Sequence, residues 1–318
     1  MRLILIRHGD PDYEHDTLTE KGVREAALLA ERTARWKVDD VYVSPLGRAL
    51  ATARPSLEKW GKKAKTLDWA REFTYSVDDG KGGKRIPWDY FPSEWTQIDE
   101  NFREKEWVMT PRMHPVREHY EDVCTHLDLL LKEYGYLRDG RMYRVRRHSD
   151  KTIVIFCHFG VSMIFLSHLL NLPAQALLHG IFLAPTSVTV LVSEERCVDE
   201  AYFRAERIGD CAHLIAAGEP VSASGFFTEM FQEVLMYMDL NALAERLIPG
   251  DYPPLESYEK RYPPRDLPKG AEVTRLAPSP TGFIHLGNLF VAIANERIAH
   301  RSGGKLYLRI EDTDLKRK

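Results

Sequence analysis

Cysteine is scarce in this chain, and long apolar runs are missing altogether. Of 318 residues only four are cysteine, and Cys124, Cys157, Cys197 and Cys211 form no C-x-x-C pair. That excludes the usual zinc and dithiol redox motifs, and with no secretion signal it suits a reducing cytoplasm. The opening MRLILIRHGD contains only four consecutive apolar residues, too few for a signal-peptide core. Nowhere does the chain approach the ~20 apolar residues that a membrane helix needs, so no membrane partner is expected. Charge of one sign is also lacking. The formal net charge is −3, which exerts no general pull on nucleic acid or anionic lipid. Up to Glu233 there are 31 basic against 36 acidic residues, and beyond it 13 against 11; this asymmetry identifies no partner. Internal repeats and low-complexity tracts are absent too.

What remains is ordinary globular material, 44% apolar and 29% charged, on a length that suggests about two domains. The runs LILI (3–6), VYV (41–43) and TIVIFC (152–157) are short and continuously apolar. They read as strands buried on both faces, as in a parallel sheet. Val23, Ala26, Ala27 and Ala30 recur at helical spacing between the first two. VSMIFLSHLL reads as a helix stopped near Asn171, and SVTVLV and YFRAERI as further strands. Alternating strands and helices imply an α/β layered fold. Residues 79–125 are aromatic and charged without a clear period, and are expected to form an inserted cap or lid rather than a sheet element. Composition changes again near 225–235. The expected helix NALAERLI and the Pro- and Tyr-rich connector YPPLESYEKRYPPRDLP lead there into a second region.

Three expected strands end in residues suited to the same chemistry. The first runs into Arg7-His8-Gly9, the second into Ser44-Pro45 with Arg48 a turn later, and the third into His158. Parallel strands place their carboxyl ends on one edge, where open α/β sheets bind ligands. Two guanidinium groups and two imidazoles gathered there would form a cationic fork for phosphoryl oxygens. A lone histidine after a strand is more often a polar loop residue, so the weight lies on the combination.

LIRHG, SPLGRALATA and IFCHFG together resemble the histidine phosphatase superfamily, the phosphoglycerate-mutase-like enzymes, over about residues 1–233. The resemblance implies a three-layer sandwich with a mostly parallel sheet and an inserted cap. It implies His8 as the nucleophile that becomes phosphohistidine, with Arg7, Arg48 and His158 as the phosphate pocket. It also implies a carboxylic acid between the second and third motifs. Glu72 in WAREF stands where that acid is expected, with Asp68 behind it and a plain surface pairing of Glu72 with Arg71 as the alternative. No metal or cofactor is implied, and the partner is a small phosphorylated substrate. Glu14 departs from the asparagine common in the family. A carboxylate at the pocket mouth would disfavour a highly anionic substrate, which leans toward phosphatase over mutase. Trp88, Tyr90 and Trp95 are read as lid core or as the walls of an apolar slot, and His213 as structural, with a place near the site as the alternative.

Beyond residue 233, EVTRLAP, the helical LGNLFVAIANERIAHRSGG and KLYLRIE read as one βαβ unit, part of a Rossmann-type fold. TRLAPSPTGFIHLGN followed by LYLRIEDTD resembles the start of the glutamyl-tRNA synthetase catalytic domain, a class I synthetase. The resemblance implies Arg275, Ser279 and Glu311 as glutamate contacts, and His285, Gly287 and Asn288 as ATP-binding residues. ATP with magnesium and tRNA would be partners only with the lysine loop and tRNA-binding parts, which lie further downstream in that family. Residues 234–318 are therefore read as a truncated fragment, either the remnant of a fusion or the front of a longer bifunctional polypeptide. The competing function is accordingly glutamate–tRNA ligation. A third alternative, a catalytically dead phosphatase fold, sits badly with the complete set of His8, Arg7, Arg48 and His158.

Overall fold

Alternate residues of the three apolar runs point to opposite sides, and both sides are covered. A computed structural model of the chain describes residues 1–80, 82–227, 255–263, 266–276 and 286–308. Strands β1 (Arg2–Arg7), β4 (Asp40–Val43) and β10 (Thr152–Cys157) lie side by side and parallel. Leu3, Leu5, Tyr42, Ile153 and Ile155 enter one apolar core, and Ile4, Ile6, Val41, Val43, Val154 and Phe156 enter another. A period-2 side-chain alternation buried on both faces explains why these strands read as unbroken apolar runs.

The remaining elements follow from this sheet. Short strands β2 (Pro11–Asp12) and β3 (Thr17–Leu18) lead into α1 (Glu20–Thr33), whose first turn is capped by the Thr19 hydroxyl accepting from Gly22 N–H at 3.1 Å. The helix forms where expected, but its buried face is rotated from the one anticipated. Gly22, Glu25, Ala26, Leu29, Ala30 and Thr33 face inward, while Val23 and Ala27 are exposed. Alanine is a weak marker of burial because it costs little on either face, and this explains the misplaced stripe. Helix α2 (Gly47–Trp60) packs Ala49, Thr52, Ala53 and Ser56 inward on the same side of the sheet. On the opposite side lie α4 (Arg117–Glu133), α5 (Phe159–Leu170) and α6 (Ala174–Gly180), which fill the larger core. Helix α5 is buried along all but its last residue and stops at Asn171, whose φ of +55° ends it.

The full sheet has eight strands in the order β5-β4-β10-β1-β11-β12-β9-β8. Its parallel part runs from β5 (Lys65–Thr66) to β1. The long hairpin of β11 (Val188–Cys197) and β12 (Glu200–Asp210) continues it antiparallel, with β8 (Tyr136–Asp139) and β9 (Met142–Val145) at the far edge. Strands β8 and β9 had no clear sequence signal because Arg138, Asp139, Arg141 and Arg144 break the apolar pattern. The short α7 (Ala212–Ala217) follows the hairpin.

The cap segment holds more order than its sequence suggested. It begins with a two-strand ladder of β6 (Val77–Asp78) and β7 (Lys84–Arg85) and continues through α3 (Pro92–Trp95) and three 3-10 turns. Trp107, fully buried, and Val108, Met113 and Val116 fasten it to the larger core. It gives way to α4 at Arg117 rather than at 125, because Tyr120, Val123, Cys124 and Leu127 already form a helical stripe.

Two compact units are separable, Met1–Glu229 and Met230–Lys318. In the second, α8 (Leu255–Arg261) precedes β13 (Val273–Leu276). Strand β13 pairs in parallel with β14 (Lys305–Leu308) across α9 (Leu286–Arg301), which is the expected βαβ unit. The expected helix over NALAERLI lies outside the described residues. Among the described residues no helix is long and apolar enough to cross a membrane.

Candidate active site

Strand register assembles the site. Arg7 pairs with Cys157 and Val43 with Phe156, so the residues that follow each strand emerge together. Backbone bonds continue the ladder past its end, from His8 N–H to Cys157 O at 3.0 Å and from Ser44 N–H to Phe156 O at 2.9 Å. The rings of His8 and His158 then lie side by side, 5.1 Å between centroids and tilted by 53°. Arg7, His8, Arg48 and His158 are all buried.

His8 is held in one tautomer. Its Nδ1 lies 2.8 Å from Gly9 O, and a carbonyl only accepts, so the ring proton sits on Nδ1. The lone pair is therefore on Nε2. Burial, then the adjacent Arg7, push the His8 pKa down to about 3, and the imidazole stays neutral at ordinary pH. His158 is lowered well below its usual value by burial, then by His8 and Arg48. Its Nε2 lies 2.7 Å from Ser44 Oγ, while Nδ1 is buried without a partner.

The two arginines are anchored from behind. Arg7 donates through Nη1 to Leu183 O, and its buried Nε has no partner. Arg48 pairs with Asp16 at 2.5 Å, and the other oxygen of Asp16 accepts from Gly47 N–H at 2.6 Å. A buried cation without a full set of acceptors is strongly destabilised unless an anion completes it, so this corner is built for an anion. Thr52 ties the parts together, accepting from Gly9 N–H at 2.9 Å and donating to Arg48 O at 2.7 Å.

Glu72 comes to the same place from the loop after β5. Its Oε1 accepts from Phe73 N–H at 2.8 Å and Val161 N–H at 3.2 Å. Burial raises its pKa above the usual carboxylate range, against the opposing pull of those amides and of Arg7. With Oε1 occupied as an acceptor, the proton belongs on Oε2. Gly160 makes this fit possible, since a Cβ there would come within 2.5 Å of Trp88 and 2.8 Å of Glu72 Oε1. The surface pairing of Glu72 with Arg71 does not form. Asp68 is exposed at the start of a 3-10 turn.

Other expectations shift. Glu14 is exposed, with only its backbone N–H bound to Asp12, so it places no carboxylate on the pocket. That carboxylate is Asp16, which sequence reading missed because its partner Arg48 lies 32 residues away. His213 stands behind the site. Its Nε2 lies 3.0 Å from Thr186 Oγ1, and Thr186 N–H reaches both Arg7 O and His8 O at 3.1 Å. Thr186 itself adopts a φ of +56°, a position no sequence pattern announced. Trp88 and Tyr90 are buried and Trp95 is half-buried. In the second unit Arg275 is exposed on β13, and Gly287 and Asn288 lie in the first turn of α9. Ser279, His285 and Glu311 fall outside the described residues.

The histidine phosphatase superfamily (branch 1) matches residues 3–203. This chain belongs to that superfamily. Class I tRNA synthetases of the E and Q type match, through their catalytic domain, residues 272–318. Among solved structures, a phosphoserine phosphatase mutant from Entamoeba histolytica is 20% identical, covers 67% of this chain and 98% of its own, and has a TM-score of 0.46. A mycobacterial glucosyl-3-phosphoglycerate phosphatase is 19% identical, over 64% and 96%, with a TM-score of 0.44. The glutamate–tRNA ligase of Clostridium perfringens is 54% identical over 80 residues, 25% of this chain and 15% of the ligase. That of Sorangium cellulosum is 63% identical over 62 residues, 20% of this chain and 11% of the ligase. The chain thus spans less than a sixth of the ligases it matches.

Asp16 provides a first test of the phosphatase site. Asp16→Ala is expected to raise KM for phosphomonoesters about tenfold with a smaller change in kcat, since it frees the Arg48 fork from its orienting partner. An unchanged KM in steady-state kinetics would show that Arg48 needs no such support.

Proposed function

We propose that the first unit is a phosphomonoester hydrolase that works through a phosphohistidine on His8. The observation that carries this reading is the neutral His8 ring, its Nδ1 proton committed to Gly9 O, beside the anchored guanidinium groups of Arg7 and Arg48. In the proposed first step, Nε2 of His8 attacks phosphorus, a P–N bond forms and the ester P–O bond breaks. Arg7, Arg48 and the unpartnered Nδ1 of His158 bind the oxygens whose charge grows as the phosphoryl group transfers. Donation from Ser44 Oγ to His158 Nε2 leaves that Nδ1 protonated and able to donate. Glu72 gives its Oε2 proton to the departing alkoxide. In the second step water attacks phosphorus, Glu72 takes the water proton, the P–N bond breaks and neutral His8 returns. Splitting the displacement in two lowers each barrier, and the proposed chemistry uses side chains alone. The supporting experiment is to quench the protein during turnover of a phosphomonoester and map the phosphoryl group. An acid-labile, base-stable phosphate on His8 is expected; release of phosphate with no such adduct would point to direct attack by water.

All residues of this scheme lie in the first unit. Deleting residues 230–318 is therefore expected to leave kcat/KM within about twofold. A loss of tenfold or more in that variant would tie the second unit to the chemistry.

For residues 272–318 the match to the synthetase catalytic domain, beside stretches of 80 and 62 residues that are 54% and 63% identical to glutamate–tRNA ligases, favours a second reading. We propose that they form the ATP- and glutamate-facing front of a glutamate–tRNA ligase catalytic domain. The backbone N–H groups and dipole at a helix start, here with Gly287 and Asn288 in the first turn of α9, suit an ATP phosphate. Ligation of glutamate to tRNA is assigned to this front only together with the parts that make up the rest of those relatives. Glutamyl-tRNA formation by the 318-residue protein would overturn that dependence.

A further inference from the structure

The mechanism leaves one wall of the phosphate pocket without a role. Residues 219–227 follow α7 and run back along the loop after β1. Arg24 holds Glu219 through two bonds of 3.1 and 3.2 Å, and Ser222 Oγ donates to Asp10 Oδ1 at 2.5 Å. Ser224 N–H reaches Ser222 Oγ at 3.1 Å and Phe226 N–H reaches Ala223 O at 3.0 Å. At Gly225, φ is +100°, and a Cβ would lie 3.0 Å from Arg7 Nη2. Only glycine lets the backbone come this close to the guanidinium in that conformation.

This segment completes an aromatic frame. Phe226 stacks on Phe182 with centroids 3.7 Å apart, and Arg7 Cζ lies 5.7 Å from Phe182 and 5.8 Å from Phe159. Trp88 packs edge-on against Phe159 at 5.5 Å, and Tyr13 lies 5.4 Å from Arg48 Cζ. Tyr13, Phe226 and Phe227 are each more than half exposed, at 62%, 53% and 53%. Arg7 and Arg48 are the arginines that act on His8, His158 and Glu72. Both are committed to the transferred phosphoryl group. A second anionic group on the substrate would meet aromatic rings, where its lost hydration is not replaced.

We propose, on the basis of the phosphatase reading above, that the preferred substrate is a phosphomonoester with an uncharged, apolar or aromatic alcohol portion. Phe226, carried on the 219–227 segment and stacked on Phe182, is the specificity-determining residue. The two esters 3-phenylpropyl phosphate and 4-(phosphonooxy)butyrate release alkoxides of similar basicity, so their comparison reads the wall and not the leaving group. The phenyl ester is expected to have a kcat/KM about tenfold higher. Phe226→Ala should remove most of that preference by raising KM for the phenyl ester alone, and Phe226→Trp should restore it. Equal kcat/KM values for the two esters, or equal losses on both in Phe226→Ala, would overturn the inference while leaving the phosphatase reading intact. If neither ester is hydrolysed, the phosphatase reading fails, and calorimetry decides the inference separately. Tighter binding of 4-phenylbutylphosphonate than of 5-phosphonopentanoate to the wild-type protein would sustain it, and equal binding would overturn it.

Discussion

His8→Ala is expected to lower phosphomonoester turnover by about 10⁴-fold or more while the protein stays folded. The expected loss is large because no neighbouring group replaces the nucleophile. The His158 Nε2 faces Ser44, and its Nδ1 is assigned to a phosphoryl oxygen. The fold should survive because, among the described residues, the hydrogen bond of the His8 side chain goes to its neighbour Gly9 O and not to a distant element. Truncation leaves a small cavity that costs on the order of 1–3 kcal/mol. Phosphate release, phosphohistidine trapping and thermal melting on the same variant separate the two effects. Turnover near the wild-type value with an intact melt would remove His8 from the covalent step. Acid inactivation follows from the same residue. The His8 ring has its pKa depressed to about 3, so the Nε2 lone pair is available above that value and is lost as pH falls through it.

Much of this site is legible in the sequence. His8, Arg7, Arg48 and His158 stand at or just after the ends of apolar runs, and a parallel register is enough to bring them together. Glu72 is legible only by position relative to the motifs, since nothing local distinguishes it from Asp68 four residues before it. The supporting residues are not legible. Asp16, Thr52 and Thr186 act through backbone amides, carbonyls and one arginine supplied by other elements, and such pairings leave no spacing in the chain. The same holds for Gly225, whose partner Arg7 lies more than two hundred residues away. The rotated face of α1 has a different cause. Alanine and Val23 suggested one stripe, but the buried Glu25, whose Oε2 accepts from Asp10 N–H at 2.8 Å, shows that the helix turns a polar group toward the loop after β1. Strands β8 and β9 went unseen because the edge strand β8 and its neighbour β9 carry arginines where a central strand carries valine.

Glu72→Gln is expected to cost about 10²–10⁴-fold in kcat/KM on alkyl phosphates and far less in kcat/KM on p-nitrophenyl phosphate. An alkoxide is a poor leaving group and needs a proton as it departs, whereas nitrophenolate leaves as a stable anion. Glutamine keeps the shape and can still accept from Phe73 N–H and Val161 N–H through its carbonyl oxygen, so the loop should hold. The pH profile sharpens the distinction. Glu72 donates only when protonated, and burial moves its pKa upward from 4.5. For alkyl esters kcat should therefore be high below that raised value and fall as pH rises through it. On the acid side the wild-type profile is expected to fall as His8, whose pKa is depressed to about 3 in the ligand-free protein, takes up a proton. The variant should lose the alkaline limb on alkyl esters, because no titrating acid remains. Dephosphorylation of the enzyme should slow as well, since the same carboxylate takes the proton of the attacking water. A trapped phosphohistidine would then accumulate with p-nitrophenyl phosphate. Equal losses on alkyl and aryl esters, with the alkaline limb unchanged, would make Glu72 a structural tie between the loop after β5 and the start of α5, and would send the search for the acid back to Asp68.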